Sequence, residues 1–450
     1  MREYDAVVIG GGPGGYETAL ELAGGGMKTL LIERSKERIG GTCLNEGCIP
    51  TKQYLHSAEF ASKLSHYRES GHDLDYRGLN LVQLAQKSGE LIHEIRSGIV
   101  WLLDQAGVEN CYGTAVLTGP NTLAVGEETI RFRYAVIATG SNVRETPAYR
   151  LDGKRILFSR DVFALTSFPK TLVITGGGAI GCEFATFFSA FGTEVTLIAR
   201  SSRLLPNEDE DVSKVLTRSF KKAGVRVITS SSVLSAHSDD TGVGITLNGE
   251  DGTQQQIRSD LLLSAIGRVP NTEGLGCTAA GVKIDARGFI EVNSAFRTSA
   301  NHIYAVGDCI NTPAFAHTAY AEAKIAARNI LHGLQEINPH LSPSTIFSHP
   351  QCASCGLTES AAREKGIAIE VRKALFKVNA KSKIMGDDSG FAKIVVSAHD
   401  GVLLGAVVIG NEATEIIHEL LVAIEKKMTV DELTGMIHSH PTVSEIVRYL

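Results

Sequence analysis

The chain has 450 residues, of which 43% are hydrophobic and 21% are charged, and its formal net charge is −6. This composition excludes a disordered or collagen-like protein, and the length exceeds what one hydrophobic core usually supports, so two to four packed domains are expected. Lysines and arginines are scattered, and every apolar run is shorter than the roughly 20 residues of a spanning helix, so no nucleic-acid or membrane partner is expected.

The first predicted elements are a strand, a glycine turn and a helix. Residues 4–10 form an apolar run, Gly10-x-Gly12-x-x-Gly15 follows, and residues 16–23 favour a helix. Such glycines permit a tight turn and let a pyrophosphate approach backbone N–H groups at a helix N-terminus. The next apolar run, residues 29–32, ends at Glu33, whose carboxylate could bind ribose hydroxyls. We predict a dinucleotide-binding fold. Because it starts so early, no secretory signal is expected, which favours a cytoplasmic protein.

Two cysteines follow in the segment GGTCLNEGCIPTK, residues 40–52. In a regular helix, residues five apart lie about 8–9 Å from each other, too far for a disulfide, so a Cys43–Cys48 bridge requires a distorted turn that Gly47 and Pro50 would support. A strained local bridge is readily reduced, which favours a redox pair over a structural one. The other six cysteines are expected to be thiols. Cys352 and Cys355 lack the further ligands of a zinc site, so no metal is expected.

A second glycine turn follows a mixed region. Residues 54–107 have a helical pattern, and a β-rich stretch ends in the run 134–139. The run 171–175 then leads into Gly176-x-Gly178-x-x-Gly181 and the apolar stretch 184–191, which predicts a second dinucleotide fold. Ala199 stands where an acid would favour NAD. Arg200 and Arg203 could instead pair with the 2′-phosphate of NADP, or be ordinary surface charges, so the choice of nicotinamide stays open.

The last third of the chain predicts further strand ends and a separate domain. The runs 261–267 and 303–308 end in turns, and from about residue 338 two β-like runs, 393–397 and 402–409, precede a helical stretch, 412–427. The chain closes with HSHPTVSE, residues 438–445, in which Pro441 suits a first helical position. Imidazoles titrate near neutrality, so His440 is a candidate base that Glu445 could orient, although a lone His–Glu pair is more often structural.

These motifs together resemble the pyridine nucleotide-disulfide oxidoreductases, and most closely their dihydrolipoyl dehydrogenase branch. GGTCLNEGCIPTK resembles the family's active-site segment, HSHPTVSE its HxHPTxSE motif, and residues 138–141 its ATG turn. The resemblance covers essentially the whole chain. It implies an α/β protein with two Rossmann-like dinucleotide-binding domains, for FAD and NAD(P), and a C-terminal α+β dimerisation domain. The implied division is 1–145 with 269–337 for the FAD-binding and central domain, 146–268 for the NAD(P)-binding domain and 338–450 for the dimerisation domain.

The resemblance also implies roles for individual residues. Cys43 would exchange with substrate, Cys48 would lie against the flavin, and Lys52 would sit near flavin N5, paired with Glu183. His440, supported by Glu445, would serve the disulfide of the other subunit of a homodimer. The implied FAD residues are Gly10, Gly12, Gly14, Gly15, Glu33, Gly41, Thr42, Lys52, Thr139, Gly140, Ser141, Gly307, Asp308, Ala316 and His317, and the alternative for His317 is a packed core histidine. The implied NAD(P) residues are Gly176, Gly178, Ile180, Gly181, Glu183, Arg200, Arg203 and Gly267.

The implied function is FAD-dependent oxidation of dihydrolipoyl groups, on a carrier protein or as a small dithiol, with reduction of NAD(P)+. One alternative is an NADPH-dependent disulfide reductase resembling glutathione reductase, and another is a flavin redox sensor with little turnover. Mercuric reductase is disfavoured because no cysteine follows Cys355. The carrier protein and the working direction stay open.

Overall fold

The computed structural model describes residues 1–249, 252–333 and 341–450, which form two compact units. Unit 1 comprises Met1–Pro50, Gln86–Arg144 and Arg268–His340, and unit 2 comprises Thr51–Ala85, Glu145–Gly267 and Leu341–Leu450. The expected domain boundary at 337/338 lies outside the described residues, and the three-domain division stays a prediction. None of the described helices has both the length and the apolar character needed to span a bilayer.

The secondary structure alternates helices and strands in the first two thirds of the chain. The strands are β1 (Arg2–Ile9), β2 (Thr29–Glu33), β3 (Glu109–Tyr112), β4 (Ala115–Gly119), β5 (Thr122–Val125), β6 (Glu128–Ile137), β7 (Ser141–Val143), β8 (Ile156–Phe158), β9 (Thr171–Thr175), β10 (Glu194–Ile198), β11 (Arg226–Ile228), β12 (Ser232–Asp239), β13 (Gly242–Asn248), β14 (Gln254–Ser259), β15 (Leu261–Ser264), β16 (Arg268–Pro270), β17 (Ile303–Ala305), β18 (Ser344–Ile346), β19 (Gln351–Gly356), β20 (Ile369–Leu375), β21 (Phe391–Ser397) and β22 (Leu403–Gly410). The α-helices are α1 (Pro13–Gly24), α2 (Gly41–Glu46), α3 (Cys48–Glu69), α4 (Leu81–Gln105), α5 (Ala179–Ala190), α6 (Glu210–Lys222), α7 (Ala316–His332), α8 (Glu359–Glu364), α9 (Ala380–Ile384), α10 (Ala413–Glu425) and α11 (Val430–Thr434).

Unit 1 is built on a seven-stranded sheet in the order β3-β2-β1-β6-β5-β4, with β17 also paired to β6. The strands β3, β2, β1, β6 and β17 are parallel, whereas β4 and β5 join as an antiparallel extension. Ala6, Val7 and Val8 of β1 are completely buried, as expected for a parallel strand covered on both faces. The apolar run predicted at residues 4–10 is therefore a central strand, and the helix predicted after it is α1.

Unit 2 contains a second parallel sheet, in the order β11-β10-β9-β15-β8. Helix α5 follows β9 and buries Phe184, Phe187 and Phe188 in a core that also holds Tyr54 from α3. An antiparallel sheet β12-β13-β14 and a C-terminal antiparallel sheet β18-β19-β22-β21-β20 complete the unit. The predicted fold class, two parallel-sheet dinucleotide folds with a C-terminal α+β domain, is confirmed.

A buried charge cluster joins β21 to the start of α6 within unit 2. The Lys393 side chain is 3% exposed, and its Nζ donates to Asp209 Oδ1 at 2.7 Å and to Asp211 Oδ2 at 3.3 Å. Burial opposes the positive charge, but these carboxylates outweigh it and raise the pKa of Lys393. Asp209 also caps α6 by accepting from the Asp211 N–H, so the ammonium and the helix N-terminus share one carboxylate.

Cys352 and Cys355 are both buried on β19, where their side chains pack in apolar cores.

The expectation that Pro441 begins a helix is wrong. The His440–Pro441 peptide is cis, and the next helical segment is the 3₁₀ turn Ser444–Tyr449, so the histidine lies in a loop that precedes that turn.

Candidate active site

The first glycine turn of unit 1 leaves an open cradle between β1 and α1. A β-carbon added to Gly10 would lie 2.3 Å from the Ala138 carbonyl oxygen, and one added to Gly15 would lie 1.7 Å from the Gly10 carbonyl oxygen. Among the described residues, a β-carbon on Gly12 would instead meet only the Gly41 Cα, at 3.7 Å. The outer glycines therefore close the turn, while Gly12 faces space that a pyrophosphate can occupy at the helix N-terminus. This cradle fits the FAD that the sequence predicts.

Glu33 lies beside the turn, as its position at the end of β2 suggested. One carboxylate oxygen accepts from the Gly11 N–H and the other from the Arg34 N–H, each at 2.7 Å. The Glu33 side chain is buried. The backbone thus fixes the carboxylate next to the turn, where the ribose of a dinucleotide is expected.

The ATG turn and the Gly307-Asp308 turn meet at the carboxyl ends of β6 and β17. Ser141 Oγ donates to Asp308 Oδ2 at 2.6 Å, which joins two segments far apart in the sequence. The Thr139 hydroxyl is also buried there, beside the Cys309 thiol. These contacts support the predicted grouping of residues 139–141 with Gly307 and Asp308.

The remaining predicted FAD residues occupy different surroundings. Gly14 packs closely on Val306 of unit 1, since an added β-carbon would lie 3.0 Å from that side chain. Ala316 begins α7. His317 is exposed and stacks on Phe315 with ring centroids 5.1 Å apart, so the alternative of a packed core histidine is wrong.

Glu322 of α7 is a residue that sequence reasoning missed. It is 3% exposed, and its Oε2 accepts from the Gly307 N–H at 2.6 Å. Burial raises the pKa of Glu322, and the nearby charge of Asp308 adds to this effect. The carboxyl group fixes the turn that carries Asp308. Only the fold reveals this, because a glutamate inside a helix has no distinguishing sequence signal.

Arg268 is a second missed residue, and it connects the flavin turns with the cysteine segment. Its Nε donates to Ser141 Oγ at 2.7 Å, and its Nη2 donates to the Ser141 carbonyl at 2.5 Å and to Thr42 Oγ1 at 3.5 Å. Burial lowers the pKa of Arg268, while the negative charges of Asp308, Glu46 and Cys48 oppose that shift. The sequence did contain a signal for this residue, because Arg268 directly follows the run 261–267, which was predicted to end in a turn.

The cysteine segment is a helix interrupted between its two sulfurs. Cys43 lies in α2 and Cys48 begins α3, and both are half-buried. Gly47 separates the helices with a non-helical backbone, φ −133° and ψ −110°. The distorted turn that a Cys43–Cys48 bridge requires is therefore present.

Asn45 holds this interrupted helix against the preceding loop. Its Nδ2 donates to the carbonyl oxygens of Arg38, Ile39 and Gly41, at 3.3, 3.1 and 2.7 Å. Arg96 of α4 donates to its Oδ1 at 2.5 Å. The side chain between the two cysteines thus anchors their backbone.

The second glycine turn, in unit 2, repeats the geometry of the first. A β-carbon added to Gly176 would lie 2.1 Å from the Ala265 carbonyl oxygen, and one added to Gly181 would lie 1.9 Å from the Gly176 carbonyl oxygen. A β-carbon on Gly178 would meet no atom of the described residues within 4 Å. This turn therefore also has space for a pyrophosphate, and Ile180, half-buried in the first turn of α5, follows it.

Ala199 occupies the place that corresponds to Glu33. A β-carbon on Gly177 would lie 2.6 Å from Ala199 Cβ, just as one on Gly11 would lie 3.2 Å from Glu33 Cβ. The second glycine turn therefore has an alanine side chain at the position where the first turn has a carboxylate.

The two arginines after Ala199 differ from each other. Arg200 is exposed. Arg203 donates to the carbonyl oxygens of Glu208 and Pro206, at 2.8 and 2.7 Å, and to Ser213 Oγ at 2.9 Å. Its guanidinium thus closes the loop before α6, and a contact of either arginine with a 2′-phosphate stays a prediction. Gly267, with φ +111°, ends the unit 2 segment after β15.

Lys52 and Glu183 lie in contact within unit 2. Lys52 Nζ donates to both oxygens of Glu183, at 2.9 and 3.0 Å, and lies 4.8 Å from the centre of the Phe347 ring. The Glu183 side chain is only 5% exposed and also accepts from the Phe347 N–H at 3.0 Å. The ammonium is thus held at a fixed position by a buried carboxylate.

His440 and Glu445 form the expected pair. His440 Nδ1 lies 3.0 and 3.2 Å from the two Glu445 oxygens, and the Thr442 N–H donates to Oε2 at 2.9 Å. The Thr442 N–H and His440 lower the pKa of Glu445, which keeps it ionised. The carboxylate assigns the proton to Nδ1, so Nε2 of the largely exposed imidazole can accept a proton.

Known proteins are similar to this chain in sequence and in fold. Residues 4–323 match the family described as pyridine nucleotide-disulphide oxidoreductase, and residues 342–450 match its dimerisation domain. The dihydrolipoyl dehydrogenase of Chlorobaculum parvum is 38% identical over 99% of this chain and 96% of its own. That of Geobacillus stearothermophilus is 35% identical, over 99% and 94%.

Solved structures give the same result. LpdA from Mycobacterium tuberculosis superposes with a TM-score of 0.90 at 28% identity, covering 100% of this chain and 99% of its own. The HOCl-induced flavoprotein disulfide reductase RclA from Escherichia coli gives a TM-score of 0.88 at 28% identity, with 99% of each chain covered.

Proposed function

Because this chain belongs to the pyridine nucleotide-disulphide oxidoreductase family, we propose that it oxidises dihydrolipoyl groups to the cyclic disulfide with reduction of a nicotinamide. The observation that carries this proposal is the helix interrupted at Gly47, which presents Cys43 and Cys48 in the unit that holds the flavin cradle. The full-length relatives named dihydrolipoyl dehydrogenase support the same substrate class.

The thiol chemistry can be written with the chain's own residues. A substrate thiolate attacks Cys43 of the Cys43–Cys48 disulfide, the bond between the cysteines breaks, and Cys48 leaves as a thiolate. The second substrate thiol, deprotonated by His440 Nε2, attacks the mixed disulfide, and Cys43 leaves as a thiolate. The substrate departs as a disulfide, and its two electrons now reside on the cysteine pair.

The two nucleotides would be held by residues already described. The first turn, with Glu33 and Asp308, would hold FAD, and the second turn would hold the nicotinamide. When bound, the two nucleotides would supply the two-electron redox chemistry that links the dithiol pair to a nicotinamide acceptor. Lys52, fixed by Glu183, would place a positive charge at the flavin, and Arg268 would place another beside Cys48.

We propose that the working unit is a homodimer, with His440 acting on the disulfide of the opposite subunit. The match to the dimerisation domain supports this assembly. Several large apolar side chains of the same region are exposed in the single chain, as an interface would require: Leu375, Val378, Ile384, Met436 and Ile437. A lipoyl carrier as partner and a cytoplasmic location stay predictions.

The decisive experiment replaces each active cysteine. Cys43→Ser and Cys48→Ser should keep FAD and the reduction of dyes by NADH or NADPH, because neither needs the disulfide, but should lose dihydrolipoamide turnover. Cys111→Ser is the matched control, since Cys111 is a half-buried cysteine of the same unit. Near-normal dihydrolipoamide kinetics in both active-cysteine variants would refute the mechanism.

A second candidate is an NADPH-dependent disulfide reductase. It is favoured by Ala199 in the place of the ribose-binding acid and by the exposed Arg200, and RclA is described as a disulfide reductase. Comparing kcat/KM for dihydrolipoamide oxidation with NAD+ and with NADP+ decides between them. A preference for NAD+ supports the dehydrogenase, whereas a preference for NADP+ supports a reductive role.

A further inference from the structure

Residues 439–445, which we call the His440 loop, are held by a buried asparagine that has none of the roles above. Asn379 lies at the start of α9, in the same unit as the loop. Its Nδ2 donates to the carbonyl oxygen of Thr442 at 3.0 Å and to that of Val443 at 3.2 Å. Both carbonyl groups lie between the imidazole and its carboxylate partner in the sequence, so one side chain holds the backbone that joins the pair.

The oxygen of the same amide caps helix α9. Asn379 Oδ1 accepts from the Ser382 N–H at 2.9 Å and from the Ser382 hydroxyl at 3.1 Å. These contacts fix which end of the amide is the nitrogen, because the Ser382 N–H requires an oxygen and the two loop carbonyls require donors. Asn379 therefore joins the N-terminus of α9 to the His440 loop, with both amide N–H groups directed at the loop.

A series of hydrogen bonds leads from Asn379 to the imidazole. Thr442, whose carbonyl Asn379 holds, uses its N–H to donate to Glu445 Oε2 at 2.9 Å, and Glu445 Oε1 lies 3.0 Å from His440 Nδ1. The His440 side chain is 72% exposed, whereas that of Glu445 is 4% exposed. Packing thus holds the carboxylate, and the hydrogen bond to that carboxylate holds the imidazole. The position of His440 Nε2 therefore depends on where the loop backbone is held.

We propose that Asn379 is a positioning residue for dithiol oxidation, which acts through the His440 loop on the placement of Nε2. This role rests on the proposed function, since it requires that His440 accept a proton from a substrate thiol. Proton transfer demands a heavy-atom separation of about 2.6–3.2 Å, so a loop displaced by about 1 Å carries a less effective base. Losing the Asn379 donors should therefore lower kcat and leave KM nearly unchanged.

Two substitutions separate the loop contact from the helix cap. Asn379→Ser and Asn379→Asp each keep an oxygen that can accept from the Ser382 N–H, but neither keeps the amide N–H groups that bind the loop carbonyls. Each should lower kcat for dihydrolipoamide about tenfold to a hundredfold, with dye reduction by NADH or NADPH intact. Thr358→Ala is the matched control, because it removes the N-cap of α8 in the same unit and should leave kcat unchanged.

A double-mutant cycle with His440→Gln distinguishes positioning from general destabilisation. If Asn379 acts through the imidazole, adding Asn379→Ser to His440→Gln should lower kcat by less than about twofold further. A residue that only stabilises the fold would instead lower the melting temperature, and its effect on kcat would be as large in the His440→Gln protein as in the wild type.

Each outcome decides between these roles. Unchanged kcat in either folded Asn379 variant, or a full loss that persists in the His440→Gln protein, shows that Asn379 does not position the base. Equal losses of dihydrolipoamide oxidation and dye reduction show the same, because dye reduction does not need His440. A wild type that fails to oxidise dihydrolipoamide refutes the proposed function itself, and the role of Asn379 falls with it.

Discussion

Replacing Gly178 by alanine should weaken binding of the nicotinamide dinucleotide without destabilising the fold. Within the part of the chain that the structure describes, an added methyl group meets no atom within 4 Å, and the backbone at Gly178, with φ −84° and ψ −171°, is one that alanine adopts freely. The methyl group would instead fill the space in which a pyrophosphate approaches the N–H groups of the turn. Losing two hydrogen bonds to a charged group, at about 1.5 kcal/mol each, weakens binding by about 3 kcal/mol, or roughly 100-fold.

The assay is dye reduction by NADH or NADPH, which does not require the cysteines. KM for the preferred nucleotide should rise roughly 100-fold, while the melting temperature stays within about 2 °C of wild type. Gly181→Ala is the contrasting variant, because its methyl group would lie 1.9 Å from the Gly176 carbonyl oxygen and must distort the turn. An unchanged KM in Gly178→Ala at an unchanged melting temperature would refute the assignment of this turn to a nicotinamide dinucleotide.

Three further predictions follow from the described contacts. His440→Gln should lower kcat for dihydrolipoamide by about 10²- to 10⁴-fold and leave dye reduction intact. Because the pKa of Glu445 is lowered, this carboxylate loses its charge only at a pH below the usual glutamate range. The pH–rate profile should therefore show no Glu445 titration between about pH 5 and 8. Ala199→Glu, measured by kcat/KM with each nucleotide, should shift preference towards NAD+ by about tenfold, and an unchanged ratio would contradict this. Lys393→Met should lower the free energy of unfolding in urea by about 3 kcal/mol by leaving Asp209 buried and unpaired, with partial recovery on adding Asp209→Asn. A loss under about 1 kcal/mol would show the cluster to be solvated. Because the pKa of Lys393 is raised, its stabilisation should persist below the ordinary lysine pKa and disappear as pH rises through the raised value.

Local signals were sufficient for the framework of the fold. The run 171–175 is strand β9 to the residue, and both glycine turns sit between a parallel strand and a helix. These features are readable because each depends on neighbours in sequence: an apolar run indicates a buried strand, and a glycine indicates a backbone that approaches another closely. The pairing of His440 with Glu445 was accessible for the same reason, since only four residues separate them.

The contacts that sequence reasoning missed join distant segments. Arg268 reaches Thr42 and Ser141, and Tyr16 reaches Tyr320, across stretches of more than a hundred residues. Nothing in the local pattern distinguishes such residues from ordinary surface or helix positions. Arg203 is the opposite example. Its charge suggested a phosphate ligand, but its guanidinium binds carbonyl oxygens of its own loop. The cis peptide before Pro441 likewise had no signal beyond the proline itself.

The spacing of the two cysteines can now be understood as a structural requirement. Four residues separate them, and each contributes differently to the segment. Leu44 is buried in the core of unit 1, Asn45 binds three carbonyl oxygens, Glu46 pairs with Arg38 at 2.8 Å, and Gly47 interrupts the helix. A two-residue spacing of the CxxC kind would have room for only half of these contributions. A shorter loop could still form a disulfide, but it would have to be anchored by residues from outside the loop. In this chain the anchor and the reactive pair are one continuous segment, so they move together.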